Sequence, residues 1–163
     1  MGLFSWLFGN NNNPRAGFPH LGRIDVEVYA RPNGSGGVAW SHSVKSHGHS
    51  NGNKIKAPRG EGYRIKFDLD DYTDLHVRFD ASKPFFCKEG TANPCPDSIS
   101  TQQVLVDSCE DDTLVVIDWN YGDQEQELRY QLNFVTDIGT PIDPYDPIII
   151  NGGGGVQPGS GIA

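Results

Sequence analysis

Between Arg23 and Asn151 apolar side chains recur at every second position. Tyr63, Ile65, Phe67 and Leu69 alternate with Arg64, Lys66, Asp68 and Asp70, so a strand through them carries four apolar groups on one face and four charges on the other. Ile24, Val26 and Val28 alternate in the same way with Asp25 and Glu27, and Leu75, Val77 and Phe79 with His76, Arg78 and Asp80. The pattern returns in Leu128, Tyr130, Leu132 and Phe134 against Glu127, Arg129, Gln131 and Asn133. Leu114 to Ile117 is apolar throughout and β-branched at three of four positions, the composition of a central strand covered on both faces. Weaker runs lie at Val38 to Val44, Lys54 to Ala57, Phe85 to Cys87, Val104 to Val106 and Ile148 to Ile150.

Turn formers separate these runs: Pro32-Asn33-Gly34, Asn51-Gly52, Gly60 and Gly62, Asn93-Pro94, Asn120-Tyr121-Gly122, Gly139 and Asp143-Pro144. No long helical period interrupts them. The pattern predicts an all-β chain, an antiparallel β-sandwich of seven to nine short strands, immunoglobulin-like in size and layout, with a closed β-barrel as the alternative. Ile65, Phe67, Val77, Val116, Leu132 and Phe134 sit on the apolar parity of these strands and are expected in its core.

The strand pattern ends in Asp146-Pro147-Ile148-Ile149-Ile150-Asn151, and this resembles small uncharacterised bacterial all-β proteins of the DP-EP family. The resemblance implies the all-β fold and no activity.

The 163 residues divide into a body and two appendages. Residues 1–22 hold one charged side chain, Arg15, in an apolar stub followed by a polar linker from Asn10. Residues 23–151 form a domain of ordinary size. Residues 152–163 open with Gly152 to Gly155 and carry no charge, a composition expected to stay flexible. The stub packs Leu3, Phe4, Trp6, Leu7 and Phe8 into its first eight residues. So dense an apolar element docks on its own domain, on a protein partner or second copy, or shallowly at a membrane interface, where Trp and Phe favour the headgroup boundary. No stretch is long and apolar enough to span a bilayer as a helix.

Chemistry is sparser. Of the three cysteines, Cys87 and Cys95 bracket a short loop that a disulfide would pin. Against this, the first residues lack the positive region and cleavage site of a secretory signal, which predicts a cytoplasmic, reducing environment and free thiols. His42, His47 and His49 lie within eight residues; His47 and His49 would share one side of an extended segment, and His42 could approach across a turn to complete a metal site. The competing reading is an exposed polar hairpin tip. Asp68, Asp70, Asp71 and Asp74, and the run Asp118 to Asp123, invite calcium, but an EF-hand starting at Asp118 would need Gly and Glu where the chain has Asp123 and Arg129.

The net charge of −8 argues against a general nucleic-acid binder. Arg23 to Lys66 nevertheless carries eight basic and three acidic residues, and Phe67 to Asn151 four and eighteen. In a sandwich the two halves interleave, which predicts cross-strand ion pairs; the alternative is a basic patch of Lys45, Lys54, Lys56, Arg59, Arg64 and Lys66. No nucleophile motif, phosphate loop or dinucleotide fingerprint occurs, and nothing requires a cofactor. These observations favour a non-catalytic binding or assembly module that attaches to a protein partner or self-associates through its stub or loops. A calcium-dependent, carbohydrate-type binding domain and a metal-assisted enzyme using the His-rich loop are the alternatives.

Overall fold

The fold is that of a computed structural model, which describes residues 20–155. Twelve strands follow one another, with no helix among the described residues: β1 Leu21–Pro32, β2 Val38–Val44, β3 Ser50–Asn51, β4 Lys54–Ala57, β5 Gly62–Asp71, β6 Arg78–Phe79, β7 Phe85–Glu89, β8 Val104–Cys109, β9 Thr113–Asp118, β10 Gln126–Val135, β11 Pro141–Tyr145 and β12 Ile148–Asn151. They form two sheets, packed face to face and not closed into a barrel. The first has the order β2-β1-β5-β9-β8.

The second sheet is centred on β10. Leu132 pairs with Phe85 on one side and Tyr145 on the other, and Leu128 with Glu89 and Ile149. One edge of β10 therefore carries β6 and β7, and the other carries β11 and β12, with β4 and β3 beyond β12. Each sheet is mixed: β1 runs parallel to β5, and β4 parallel to β12. This departs from the antiparallel sandwich expected from the sequence, because alternation specifies which face is buried and not which way a neighbour runs.

The alternation read from the sequence is the alternation of burial. On β1, Ile24, Val26, Val28 and Ala30 face in, and on β5, Tyr63, Ile65 and Phe67 do so. β10 contributes Leu128, Tyr130, Leu132 and Phe134, and all six expected core residues are buried. Tyr130 lies between Phe67 and Phe85, with ring centroids 5.7 and 5.6 Å away. Along the side of the sandwich β2 is fastened to β10 and β11: Trp40 stacks on Phe134 at 4.1 Å, and its Nε1–H donates to the Asp143 carbonyl at 2.8 Å.

The segment Leu75–Asp80 is not the strand that its alternation predicts. Only Arg78 and Phe79 pair, because Asp71 curls the chain ahead of them: its Oδ1 accepts from the Thr73 backbone N–H and hydroxyl, and its Oδ2 from the Val77 N–H. His76 takes φ 53° inside this turn. Both Val77 and Phe79 still reach the core, Val77 from the loop and Phe79 from its short pairing with Phe134. Among the described residues no helix is long and apolar enough to cross a membrane.

Phe67 is fully buried at the centre of the aromatic layer. Phe67→Ala is expected to lower the unfolding free energy by about 3–5 kcal/mol through lost burial and a residual cavity, read from a denaturant titration.

Candidate functional site

The His-rich segment comes apart in three dimensions. His42, on β2, is half-buried, and its Nδ1 shares a 2.7 Å hydrogen bond with the Tyr145 hydroxyl; burial lowers its pKa below the ordinary imidazole value. His49 lies beyond the turn, with Nδ1 2.9 Å from the Lys56 carbonyl oxygen and its ring edge-on to Tyr63. His47 is exposed between them. Among the described residues no three His, Cys, Asp or Glu side chains are placed to hold a metal ion, and the His42, His47, His49 grouping weighed against a polar hairpin tip is not assembled.

The acidic runs are also dispersed. Asp71 is engaged in the turn described above, and Asp80 caps the next one by accepting from the Ser82 N–H at 3.0 Å and the Ser82 hydroxyl at 2.6 Å. Asp70 faces Glu27, whose side-chain hydrogen bond raises the Asp70 pKa. Glu110, Asp111 and Asp112 border an open concavity of about 540 Å³ beside Val77, without converging on a cation position.

Four of the six basic-patch residues are in ion pairs: Lys45 with Glu27, Lys54 with Glu127, Arg64 with Asp107 and Lys66 with Asp68. Three of these pairs, Lys54–Glu127, Arg64–Asp107 and Lys66–Asp68, join the basic half of the chain to the acidic half, the last within a single strand. Each is partly exposed to solvent, which screens the attraction and keeps its contribution small.

Cys87 and Cys95 are free and do not form the disulfide weighed against free thiols. The cause is strand parity. Cys87 is paired with Tyr130, and both face the core; Arg129, the next residue of β10, points to the opposite side of the sheet, and it is Arg129 that Cys95 touches. The two sulfurs are thus on opposite faces.

Around Cys95 the exposed loop Thr91–Cys95 is gathered onto one guanidinium. Arg129 donates through Nε and Nη2 to Asp146, at 2.9 and 2.6 Å from Oδ2, through Nη1 to Asn93 Oδ1 at 2.8 Å, and through Nη2 to Cys95 Sγ at 3.1 Å. The Cys95 thiol in turn donates to Asp146 Oδ2 at 2.8 Å. This is the arrangement of a restrained thiol and not of a nucleophile: the Asp146 carboxylate keeps the proton on sulfur and raises the Cys95 pKa. Burial drives the Cys87 pKa far higher.

The densest chemistry lies at the end of the sandwich formed by the C-terminus of β9, where the sequence suggested only an acidic run. Asp118 and Asn120 are completely buried, and Asn151, Gln103 and Thr101 nearly so. Asp118 Oδ1 accepts from the Asn120 N–H at 3.0 Å and from Asn151 Nδ2 at 2.9 Å. Asn151 Nδ2 also donates to Gln103 Oε1, and Gln103 Nε2 to Gln126 Oε1.

Asn120, at φ 51°, directs its amide into two neighbouring segments. Its Nδ2 donates to the Pro58 and Glu61 carbonyls at 2.9 and 3.0 Å, and its Oδ1 accepts from the Gly153 N–H at 2.7 Å. Burial raises the Asp118 pKa to about 7 despite the bonds from Asn151 and Asn120.

The glycines expected to open a flexible tail are part of this structure. Gly152 N–H donates to the Ala57 carbonyl, Gly154 N–H to that of Gly122 and Gly155 N–H to that of Asn120, while Gly60 N–H donates to the Gly153 carbonyl. A Cβ on Gly155 would stand 2.0 Å from the Trp119 carbonyl oxygen, so only glycine lets the strap lie this close. Residues 156–163 of the segment read as a tail, and the stub residues Leu3, Phe4, Trp6, Leu7 and Phe8, lie outside the described residues. The sequence signal for the cluster was parity. Asp118 continues the inward positions Leu114 and Val116, and Asn151 continues Ile149.

No protein-family model matches the chain, and no curated protein matches it. Among solved structures it is similar to an inclusion body protein, PixA, from Burkholderia cenocepacia, at 9% sequence identity and a TM-score of 0.36, covering 83% of this chain and 97% of that one. At that score the likeness says nothing of what this chain does.

The Cys95 geometry is testable by alkylation. In the native protein at neutral pH Cys95 is expected to react slowly with iodoacetamide and Cys87 not at all, and Asp146→Asn is expected to speed Cys95 several-fold by lowering its pKa. Mass spectrometry of the time course reads both rates.

Proposed function

We propose that the chain is a non-catalytic binding or assembly module, a rigid sandwich attached through its apolar stub to a protein partner or a second copy. The observation that carries this reading is where the two ends of the body lie. Leu21, which opens β1, and the Trp119 carbonyl both crowd the position of a Cβ on Gly62, and Gly155 packs on that same carbonyl. The described ends of the body, Leu21 and Gly155, therefore lie at one corner of the sandwich.

The state of the reactive side chains supports the same reading. His42, His49, Cys87, Cys95 and Asp118 are each buried, bonded or both, and no two form a nucleophile with its base. The metal-assisted and calcium-dependent alternatives lack a converged ligand set among the described residues.

The test is the environment of Trp6. Trp119 is buried and Trp40 is stacked on Phe134, so replacing them to isolate Trp6 would disturb the core. Uniform fluorotryptophan labelling avoids this, with the Trp6 resonance assigned through Trp6→Phe. In dilute protein Trp6 is expected to be open to a soluble paramagnetic agent and to become protected as protein concentration rises or a partner is added. Protection in dilute protein, unchanged by concentration, partner or vesicles, would assign the stub to its own domain and overturn the reading.

A further inference from the structure

Asp118 sits beneath the Trp119–Gly122 turn with one oxygen doubly bonded and the other bonded to nothing. Oδ1 accepts from Asn120 N–H and Asn151 Nδ2, whereas Asp118 Oδ2 and Asn151 Oδ1 are both buried without a partner. They are the carboxyl's second oxygen and the amide's oxygen, on two groups already joined by one hydrogen bond. A hydrogen between them would satisfy both.

No ion pair to Asp118 occurs among the described residues. The titratable groups that face it are Tyr63, its cross-strand partner on β5, and Cys87 on β7; Glu61 stands beside Tyr63, and Glu89 is reached through Gln126 and Thr101. His49 meets the far side of Tyr63, with ring centroids 5.3 Å apart. Arg59, the cation in contact with the strap, donates to the Asp123 and Gly152 carbonyls.

We propose that Asp118 is held as the neutral acid, its proton joining Oδ2 to Asn151 Oδ1 in a two-bond acid–amide ring, and that loss of this proton loosens the Gly152–Gly155 strap. On ionisation the Oδ2–H bond breaks and the proton passes to solvent base. A carboxylate oxygen then faces an amide oxygen in a site without a cation, and only admitted water can relieve the pair. The strap is the element that yields. Asn151 leads directly into it, and Asn120, whose N–H is bonded to Asp118, accepts from Gly153 and Gly155.

The sign follows from linkage. Unfolded aspartate titrates near about 3.9, and burial raises the folded value to about 7. Between these limits the folded state binds more protons, so the contribution is full below the lower value and is lost as pH rises through the upper one.

Amide hydrogen exchange in the full chain, corrected for intrinsic rates, tests this from about pH 5.5 to 8.5. Protection at Gly153 and Gly155 is expected to fall roughly ten-fold or more across the range. Asp118→Asn keeps the shape, presents its own Nδ2 to Asn151 Oδ1 and does not titrate, so its protection is expected to stay flat and its Tm to exceed the unmodified protein's at the alkaline end. His49→Gln is expected to leave the original pH dependence in place. Flat protection in the unmodified protein, or the same pH dependence in Asp118→Asn, would overturn the proposal. Should Asp118→Asn fail to fold, the carboxyl carbon shift of Asp118 decides: a change across the range supports the neutral acid, and a constant carboxylate shift overturns it.

Discussion

Asn120 holds together three stretches of chain that are distant in sequence. Its backbone takes φ 51°, where asparagine is tolerated far better than bulky or β-branched residues, and this aims the side-chain amide at the Pro58–Glu61 loop and the strap after β12. Every polar atom of that amide has a partner. In a fully buried position the bonds are individually strong, and breaking one leaves a desolvated donor or acceptor at a cost of about 1–3 kcal/mol. The constraint passes outward from there: the strap must lie against Trp119, which excludes any Cβ at Gly155, and β4 and β12 must run parallel for Ala57 and Asn151 to meet beneath it.

The two ends of the sandwich are therefore built differently. At the Asn120 end, side-chain amides and a buried acid bind loops to the core. At the other end the loops cap themselves: Asp71 and Asp80 organise their own turns through bonds to residues within six positions. Loops closed by local bonds can change without disturbing the sheets, whereas those at the Asn120 end cannot.

Much of the fold was legible because one face of each strand is buried and the other is not. Tyr63 to Leu69 and Leu128 to Phe134 announce their parity directly, and their inward residues are the core. Direction was not legible: the parallel pairing of β1 with β5 is decided by connections, and alternation carries no record of it. At Leu75–Asp80 a carboxylate in the preceding turn overrode a strand pattern. The His and Cys groupings come apart for a common reason. Proximity in sequence brought His42, His47 and His49 together on paper, yet strand and turn geometry gave His42 to Tyr145 and His49 to Lys56. The same holds for Cys87 and Cys95, separated by the plane of a sheet. Conversely, Asp118 drew attention as an exposed calcium ligand when its parity with Leu114 and Val116 placed it inside.

The coupling between Asn120 and Asn151 is the most direct measure of whether this end of the sandwich behaves as one unit, since they touch through Asp118 Oδ1. A double-mutant cycle combining Asn120→Gly, which keeps the backbone conformation accessible, with Asn151→Ala measures it by denaturant titration. A connected network predicts that the double mutant departs from additivity by about 1 kcal/mol or more. Effects that add to within about 0.3–0.5 kcal/mol would show two independent contacts and contradict the central place given to Asn120.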